Sequence, residues 1–144
     1  MPTATYDPNN VFAKILRGEI PSTRVYEDEK VVAFMDVMPM GTGHTLVVPK
    51  AASRNLLDAD PGVLAPAMAV VQKIARAAKA AFHADGVSVM QYNEPASGQS
   101  VFHLHFHVIP RFDGTPLKPH SGNMEDRAVI EANSEKLRKA LATG

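Results

Sequence analysis

Three histidines alternate with apolar residues between positions 103 and 108, and this alternation constrains the fold more than any other feature of the chain. Successive side chains of a β-strand point to opposite faces, so the pattern predicts a strand with imidazoles on one face and core residues on the other. The two sets are His103, His105 and His107, and Leu104, Phe106 and Val108. Pro110 lacks the N–H that a sheet ladder uses, so we expect the strand to end there.

Composition limits what such a strand could serve. The chain has 144 residues, of which 45% are hydrophobic and 21% charged, as expected for one globular domain spanning residues 1–144. Fifteen basic residues balance fifteen acidic ones, so no net field draws the protein to nucleic acid or to a membrane. With no cysteine, no apolar leader and no membrane-length apolar run, we expect a cytoplasmic protein without disulfides.

Apolar periodicity and turn residues predict four more strands and three helices. The strands are 24–27, 31–37, 44–49 and 87–92, and the helices are a short one before Gly18, a long one that starts at Asp60 or at Pro66, and a C-terminal one at 126–141. The segment 112–123, with two prolines and two glycines, is expected to be a loop. This order indicates an α+β fold in which the two longer helices pack on one face of a five-stranded antiparallel sheet.

Each of the two longer helices carries an apolar stripe that predicts which side packs on the sheet. The stripe of the long helix consists of Leu64, Met68, Val71, Ile74 or Ala75, Ala78 and Phe82, and that of the C-terminal helix of Val129, Ile130, Leu137 and Leu141.

Three chemical interpretations of the alternating imidazoles are open. They could be surface residues of an edge strand, because a short pattern can arise by chance. They could bind a metal ion, since imidazole is a ligand for zinc, iron and copper. However, residues at i, i+2 and i+4 of one flat strand lie about 7 Å apart per repeat and converge poorly on a single ion.

The third interpretation is phosphate chemistry. A neutral imidazole is a nucleophile at neutral pH, and the phosphorus–nitrogen bond that it makes can be broken by water. Neighbouring imidazoles, when protonated, can neutralise phosphoryl oxygens and assist the leaving group. The tripeptide Gly98-Gln99-Ser100 lies immediately upstream and supplies a backbone and a hydroxyl that can approach phosphate oxygens closely.

The run of residues 103–109 resembles the His-φ-His-φ-His-φ-φ signature of the histidine triad (HIT) superfamily of nucleotide hydrolases and transferases. Further segments resemble the Hint-like branch of that superfamily in the same order, at residues 12–15, 18–21, 32–36, 43–50 and 93–100. The resemblance implies a HIT-like α+β domain with a core at about 12–111. It implies that residues 112–144 form a variable loop and a C-terminal helix.

By this resemblance, His105 is the nucleophile that attacks the α-phosphorus of a purine nucleotide of AMP type. It forms a nucleotidyl-histidine that water then hydrolyses. His107 and Ser100 are implied to contact the phosphate or the leaving group, and His103 to support the nucleophile.

The resemblance also implies a nucleotide-binding set, which consists of Asp36, Phe12, Ile15, Phe34, Val37, His44, Asn93, Gly98 and Gln99. Asp36 would bind the ribose hydroxyls, for which a carboxylate acceptor is suited. The apolar members would hold the base, although packing in the core explains them equally well. A turn is a sufficient explanation for Asn93, and a surface histidine is an alternative explanation for His44.

Many bacterial relatives hold a structural zinc with a Cys-x-x-Cys pair, a later histidine and the first triad histidine. The matching positions here are Asn10, Ala13, Ala52 and His103, of which one is a zinc ligand, so we expect no structural metal and no cofactor. The branch further implies a homodimer through the long helix and the strand before the triad. Such pairing would cover a sheet edge.

The sequence therefore favours a nucleoside phosphoramidate or nucleotide hydrolase. The alternatives are a dinucleoside polyphosphate hydrolase, a nucleotidyl transferase of the same superfamily, a non-catalytic nucleotide-binding regulatory module, and a three-histidine metalloenzyme.

Overall fold

The computed structural model describes residues 5–120 and 123–143. In chain order the elements are α1 (Val11–Leu16), β1 (Arg24–Glu27), β2 (Val31–Met35), β3 (Thr45–Pro49), α2 (Pro61–Ala81), β4 (Gly86–Met90), a 3₁₀ turn at Pro95–Ser97, β5 (Phe106–Arg111) and α3 (Arg127–Thr143). The strands form one five-stranded antiparallel sheet in the order β1-β2-β3-β5-β4. The predicted α+β class is confirmed.

The strand that follows the triad lies inside the sheet and not at its edge. β5 pairs with β3 on one side and with β4 on the other, so the edge-strand interpretation of the histidines is wrong. The strand also continues through Pro110 to Arg111, past its predicted end. Pro110 is tolerated because β3 pairs only as far as Val108, which leaves the proline with a neighbouring strand on one side, at Val87.

The triad segment itself is not a regular strand before Phe106, which corrects the prediction that all three histidines lie on one strand. The backbone N–H of Leu104 donates to the carbonyl of Ser53 in the loop after β3, at 2.9 Å. His103 and His105 therefore precede the ladder, and only His107 lies within it. An alternating pattern does not separate a paired strand from an irregular extended segment of the same polarity.

Helices α2 and α3 cover one face of the sheet. The core beneath them includes the predicted inward residues Leu104, Phe106 and Val108. Helix α2 begins at the predicted Asp60, whose carboxylate caps the N–H of Gly62, and Pro66 lies inside the helix. Among residues 5–120 and 123–143, neither long helix is apolar over a bilayer-spanning length.

Two predicted core positions in the helices are wrong. Met68 is 46% exposed, and the small residues Ala67 and Val70 face the sheet instead, which lets α2 approach it closely. Val129 is 43% exposed, while Ile130 and Leu137 are buried as predicted.

The opposite face of the sheet is covered by α1, which packs on a second apolar cluster. Asn10 caps this short helix by accepting from the N–H of Ala13 at 2.9 Å. The cluster consists of Phe12, Ile15, Val32, Phe34, Leu46 and Val48. Because strand side chains alternate, the residues of β2 and β3 on this face have even numbers. The next even-numbered positions beyond the two strand ends belong to the candidate site.

Candidate active site

One end of the α1-covered face carries polar side chains from three neighbouring strands. Asp36 follows β2, His44 precedes β3 and His107 lies in β5, and each has the parity of that face. The N–H of Asp36 donates to the carbonyl of His44 at 3.0 Å, which continues the β2–β3 ladder by one step. Sheet register therefore brings these three groups together.

The approach of His44 depends on Gly43. This glycine has φ +77°, and a Cβ built on it would lie 2.5 Å from the ring of Phe82 at the end of α2. Both the backbone conformation and the close contact favour glycine, which allows the 36–43 loop to fold back over the helix.

His105 is held in one tautomer by the main chain. Its Nδ1 lies 2.7 Å from the carbonyl oxygen of His103, which can only accept, so Nδ1 carries the proton and Nε2 carries the lone pair. Phe12 packs edge-on against the ring, with centroids 4.8 Å apart. Burial lowers the pKa of His105 to about 4, so the imidazole is neutral at pH 7. A buried neutral imidazole with a defined lone pair is a competent nucleophile.

His103 is bonded at both ring nitrogens. Nε2 donates to the carbonyl of Pro49 at 2.7 Å, and Nδ1 accepts from the hydroxyl of Tyr6 at 2.6 Å. Burial lowers the pKa of His103. His103 could therefore play its predicted supporting role through its backbone carbonyl, which is the acceptor that orients His105.

A chain of donors also determines the tautomer of His107. The backbone N–H of Met40 donates to Nδ1 of His44 at 3.0 Å, which leaves the proton of neutral His44 on Nε2. That Nε2 lies 2.9 Å from Nδ1 of His107, so His107 accepts there and carries its own proton on Nε2. Burial lowers the pKa of each of these two imidazoles to about 3. At pH 7 both are therefore neutral, in contrast to the protonated neighbours that the sequence led us to expect.

Asp36 is buried, with 5% of its surface exposed, and Nε2 of His120 lies within 3.4 Å of both its oxygens. Oδ1 accepts from the N–H of Met38 at 2.8 Å, while Oδ2 lies 3.1 Å from Nε2 of His120 and 3.5 Å from Nε2 of His44. Burial raises the pKa of this carboxyl. Its predicted contact with ribose stays a prediction.

His120 is a site residue that the sequence did not reveal. It lies in the predicted 112–123 loop, with its ring centroid 6.2 Å from that of His44 and 6.4 Å from that of His107. Backbone bonds from Lys118 to Met40 and from Glu125 to Val37 place these two residues along the 36–43 loop. A single histidine in a proline-containing loop gives no periodic signal, so only the tertiary contacts identify it.

The loop before the triad is supported by a network of buried amides. Oε1 of Gln99 accepts from Asn55 and from the N–H of Glu94, and its Nε2 donates to the carbonyls of Arg54 and Val101. Arg54 binds the carboxylate of Glu94 with two nitrogens, at 2.8 and 3.0 Å. The amide of Gln99 is thus occupied by protein groups, which gives it a role in holding the loop, and its contact with a nucleotide stays a prediction.

Three other predicted residues lie on or beside this loop. Asn93 accepts from the N–H of Leu56 at 2.9 Å, which ties the loop to the segment after β3. Gly98 has φ +106°, a conformation that favours glycine, and Ser100 is exposed. Contact of Ser100 and Gly98 with phosphate stays a prediction.

The predicted base-binding residues divide into two groups. Phe12, Ile15 and Phe34 are buried in the cluster beneath α1, where packing of the core accounts for them. Val37 is 40% exposed. Of the three, Phe12 also contacts His105, so the apolar cluster reaches the candidate nucleophile.

The structural zinc that the resemblance associates with bacterial relatives does not fit the residues present here. Ala13 and Ala52 have no ligand atom, and the side-chain oxygen of Asn10 caps α1. Both ring nitrogens of His103 are bonded within the protein.

A second group of potential ligands, Asp36, His44 and His107, has ligand atoms within 4.8 Å of one another. His44 could ligate through Nε2 only as an imidazolate, because Met40 already donates to its Nδ1. We therefore assign these short distances to hydrogen bonds.

The fold and the site define an α+β domain with imidazoles clustered at one end of its sheet. A sequence model of the HIT domain matches residues 17–114. A Hit-like protein involved in cell-cycle regulation from Bartonella henselae is 57% identical in sequence to this chain. Its crystal structure superposes with a TM-score of 0.89, and the match covers 94% of this chain and 99% of that one.

Two curated relatives agree with this assignment. Protein hit of Bacillus subtilis is 43% identical over 140 residues, which are 94% of this chain and 96% of the relative. Adenosine 5'-monophosphoramidase HNT1 of Saccharomyces cerevisiae is 37% identical over 110 residues, which are 76% of this chain and 67% of the relative. The chain belongs to the HIT family.

Proposed function

We propose that the protein hydrolyses purine nucleotides at the α-phosphate through a covalent nucleotidyl-histidine on His105, with nucleoside phosphoramidates as the substrate class. The observation that carries the proposal is the geometry of His105. Its Nδ1–H is held by the carbonyl of His103, so the lone pair on Nε2 is available at neutral pH. The activity of the yeast relative, an adenosine 5'-monophosphoramidase, supports this substrate class.

In the first step, Nε2 of His105 attacks the α-phosphorus and the bond from phosphorus to the leaving nitrogen breaks. The anionic phosphate raises the pKa of His107, which takes up a proton and gives it to the departing amine. In the second step, water attacks the phosphorus and returns a proton to His107, and the phosphorus–nitrogen bond to His105 breaks. The products are the free amine and a nucleoside monophosphate.

Burial and exposure also support a proposal for the assembly. β4 is an edge strand, and Val89 on it is 45% exposed. Met68 on the neighbouring α2 is exposed to a similar extent. We propose a homodimer through this surface, because pairing would cover both apolar side chains and the free strand edge. Light scattering at micromolar concentration tests it, and a monomeric mass would contradict it.

One experiment tests the catalytic proposal directly. The protein is incubated separately with adenosine phosphoramidate, an adenylated lysine and a diadenosine polyphosphate, quenched early and examined by intact mass. We expect an adenylyl adduct and release of AMP, with both abolished in a folded His105→Gly variant. Unchanged turnover in that variant would contradict the assignment of the nucleophile.

The same experiment distinguishes the alternatives. Exclusive cleavage of the diadenosine polyphosphate would indicate a dinucleoside polyphosphate hydrolase, and transfer of the adenylyl group to an added acceptor would indicate a transferase. Binding of AMP without adduct or turnover would indicate a regulatory module.

A further inference from the structure

The segment before α1 reaches the first histidine of the triad. The hydroxyl of Tyr6 lies 2.6 Å from Nδ1 of His103, although 97 residues separate them in the chain. The two rings meet edge to face, with centroids 5.6 Å apart. His103 is only 1% exposed, so water has little access to this nitrogen if the phenol is removed. Tyr6 is therefore the hydrogen-bond donor that satisfies a buried acceptor.

The contact with Tyr6 completes the restraint on the His103 ring. On the other side of the ring, Nε2 donates to the carbonyl of Pro49 at the end of β3. A carbonyl can only accept, so one neutral tautomer satisfies both bonds, with the proton on Nε2 and the lone pair toward Tyr6. The ring is thereby fixed between the N-terminal segment and the sheet.

This restraint extends to the candidate nucleophile. The backbone carbonyl of His103 accepts from Nδ1 of His105 at 2.7 Å, and this bond orients the ring of His105. Residues 103–105 lie outside the ladder of β5, so sheet pairing does not fix the direction of that carbonyl. The side-chain bonds of His103 and the single backbone bond from Leu104 to Ser53 restrain it instead.

We propose that Tyr6 is a positioning residue, which through His103 orients the carbonyl that holds His105 in its reactive tautomer. The catalytic consequence rests on the proposed function of His105, whereas the positioning is a property of the resting protein. The hydroxyl performs with one hydrogen bond what a metal ion at His103 would do, and the residues around His103 do not fit such an ion. The segment before α1 is thus part of the active site.

The test compares Tyr6→Phe with Tyr26→Phe. Both variants lose one tyrosine hydroxyl, but the hydroxyl of Tyr26 donates to Asp28 on the β1–β2 hairpin, away from the triad. We expect Tyr6→Phe to lower kcat about tenfold with KM changed less than twofold, because the nucleophile is less well oriented and the binding groups are intact. Tyr26→Phe should retain wild-type kinetics.

Nitrogen-15 NMR of the imidazoles supplies a readout that does not depend on activity. In the wild type and in Tyr26→Phe, we expect His103 and His105 each to show a single tautomer, with protons on Nε2 and Nδ1 respectively. In Tyr6→Phe, the Nδ1 signal of His103 should move toward that of an acceptor nitrogen without a hydrogen bond, and the Nδ1–H signal of His105 should shift because its acceptor carbonyl is less firmly held. If the adduct experiment fails while this shift is seen, the catalytic role of His105 falls and the positioning role stands.

Two outcomes would overturn the proposal. One is a Tyr6→Phe variant with kcat within twofold of wild type and unchanged imidazole signals. The other is a Tyr6→Phe variant that fails to fold while Tyr26→Phe folds normally, since the hydroxyl would then serve stability and not orientation.

Discussion

The two halves of the imidazole cluster are held by different kinds of partner. On one side, His103 and His105 donate to backbone carbonyls, those of Pro49 and His103. On the other side, His107 and Asp36 meet other side chains, chiefly His44 and His120. Backbone acceptors are positioned by the fold, whereas contacts between side chains can be exchanged when a ligand arrives. We call His103 and His105 the main-chain half of the site, and Asp36, His44, His107 and His120 the side-chain half. The main-chain half therefore presets the nucleophile, and the side-chain half is able to adapt to the substrate.

The two halves also differ in how they respond to charge. Burial is the largest cause of the lowered pKa in all four buried imidazoles of the site, and repulsion from neighbouring imidazoles adds to it in His44, His105 and His107. His44 and His107 share one hydrogen bond, so a proton gained by either must be accommodated by both. An arriving phosphate supplies the negative charge that makes this protonation favourable.

Breaking the side-chain half at His107 should have the largest effect. We expect His107→Asn to lower kcat for an amine leaving group by about 10²- to 10⁴-fold, because the group that protonates the amine is lost. Single-turnover measurements on adenosine phosphoramidate and on the p-nitrophenyl ester of AMP check this. The loss should be much smaller for the ester, whose leaving group departs without a proton. Equal losses on both substrates would show that His107 does not act on the leaving group.

Disrupting the loop that supports the main-chain half should lower the stability of the protein. Gln99→Leu replaces a buried amide and removes its hydrogen bonds with the side chain of buried Asn55, the N–H of Glu94 and the carbonyl of Arg54. We expect the free energy of unfolding to fall by about 2–4 kcal/mol in urea titrations. Ser100→Ala, one residue further along and exposed, is the control and should change stability by less than about 0.5 kcal/mol. A loss in Gln99→Leu no greater than that in the control would contradict the loop-holding role.

The same contrast explains what the sequence could predict. Alternation and turn residues predict the strands and strand ends that carry Asp36, His44 and His107. That these three residues belong to a nucleotide site was implied by the family resemblance. His105 was identified by the resemblance of the triad segment to a family signature. For Asp36, His44 and His107, the local pattern and the position in the fold agree.

Tyr6 and His120 were not predicted as site residues because each lies in an irregular segment whose position is decided by long-range hydrogen bonds. The start of β5 was misplaced for a related reason. Leu104 bonds to Ser53 and not to a strand, and side-chain polarity does not report the partner of a backbone N–H. Met68 is exposed while Ala67 and Val70 are buried in the core beneath the helix, so the side of α2 that packs on the sheet is displaced from the predicted stripe.

Removing His120 tests whether Asp36 exchanges a protein partner for the ligand. His120 lies 3.1 Å from Oδ2 and 3.4 Å from Oδ1 of Asp36, so a ribose hydroxyl that binds this carboxylate, as the resemblance implies, must displace His120 or share an oxygen with it. We therefore expect His120→Ala to lower the Kd for AMP about two- to fivefold, the equivalent of one exposed hydrogen bond, with kcat unchanged. Isothermal titration calorimetry measures this. Lys118→Ala, which leaves the backbone bond of that residue to Met40 intact, is the control. Weaker binding of AMP in His120→Ala would show that the imidazole binds the ligand directly.

The smallest expected effect is that of mild acid on the main-chain half. With its pKa lowered to about 4, His105 stays neutral at pH 5.5, where an imidazole of ordinary pKa near 6.5 would be about 90% protonated. We expect kcat/KM at pH 5.5 to lie within about twofold of its value at pH 7.5, measured by AMP release and corrected for uncatalysed hydrolysis. A tenfold fall in a folded protein would mean that the nucleophile titrates like an exposed histidine.

Stability should respond in the same range with a definite sign. The folded protein keeps His44, His105 and His107 neutral while the unfolded chain protonates them below about pH 6.5. The unfolded state then binds more protons, so stability is complete above that pH and falls as the pH drops toward the folded values of about 3 to 4. Urea midpoints should therefore decline between pH 6.5 and 5 while kcat/KM of the folded fraction does not. If stability and kcat/KM fell together along an ordinary imidazole titration, the site would be protonated before the fold is lost, and the neutral, preset nucleophile would be excluded.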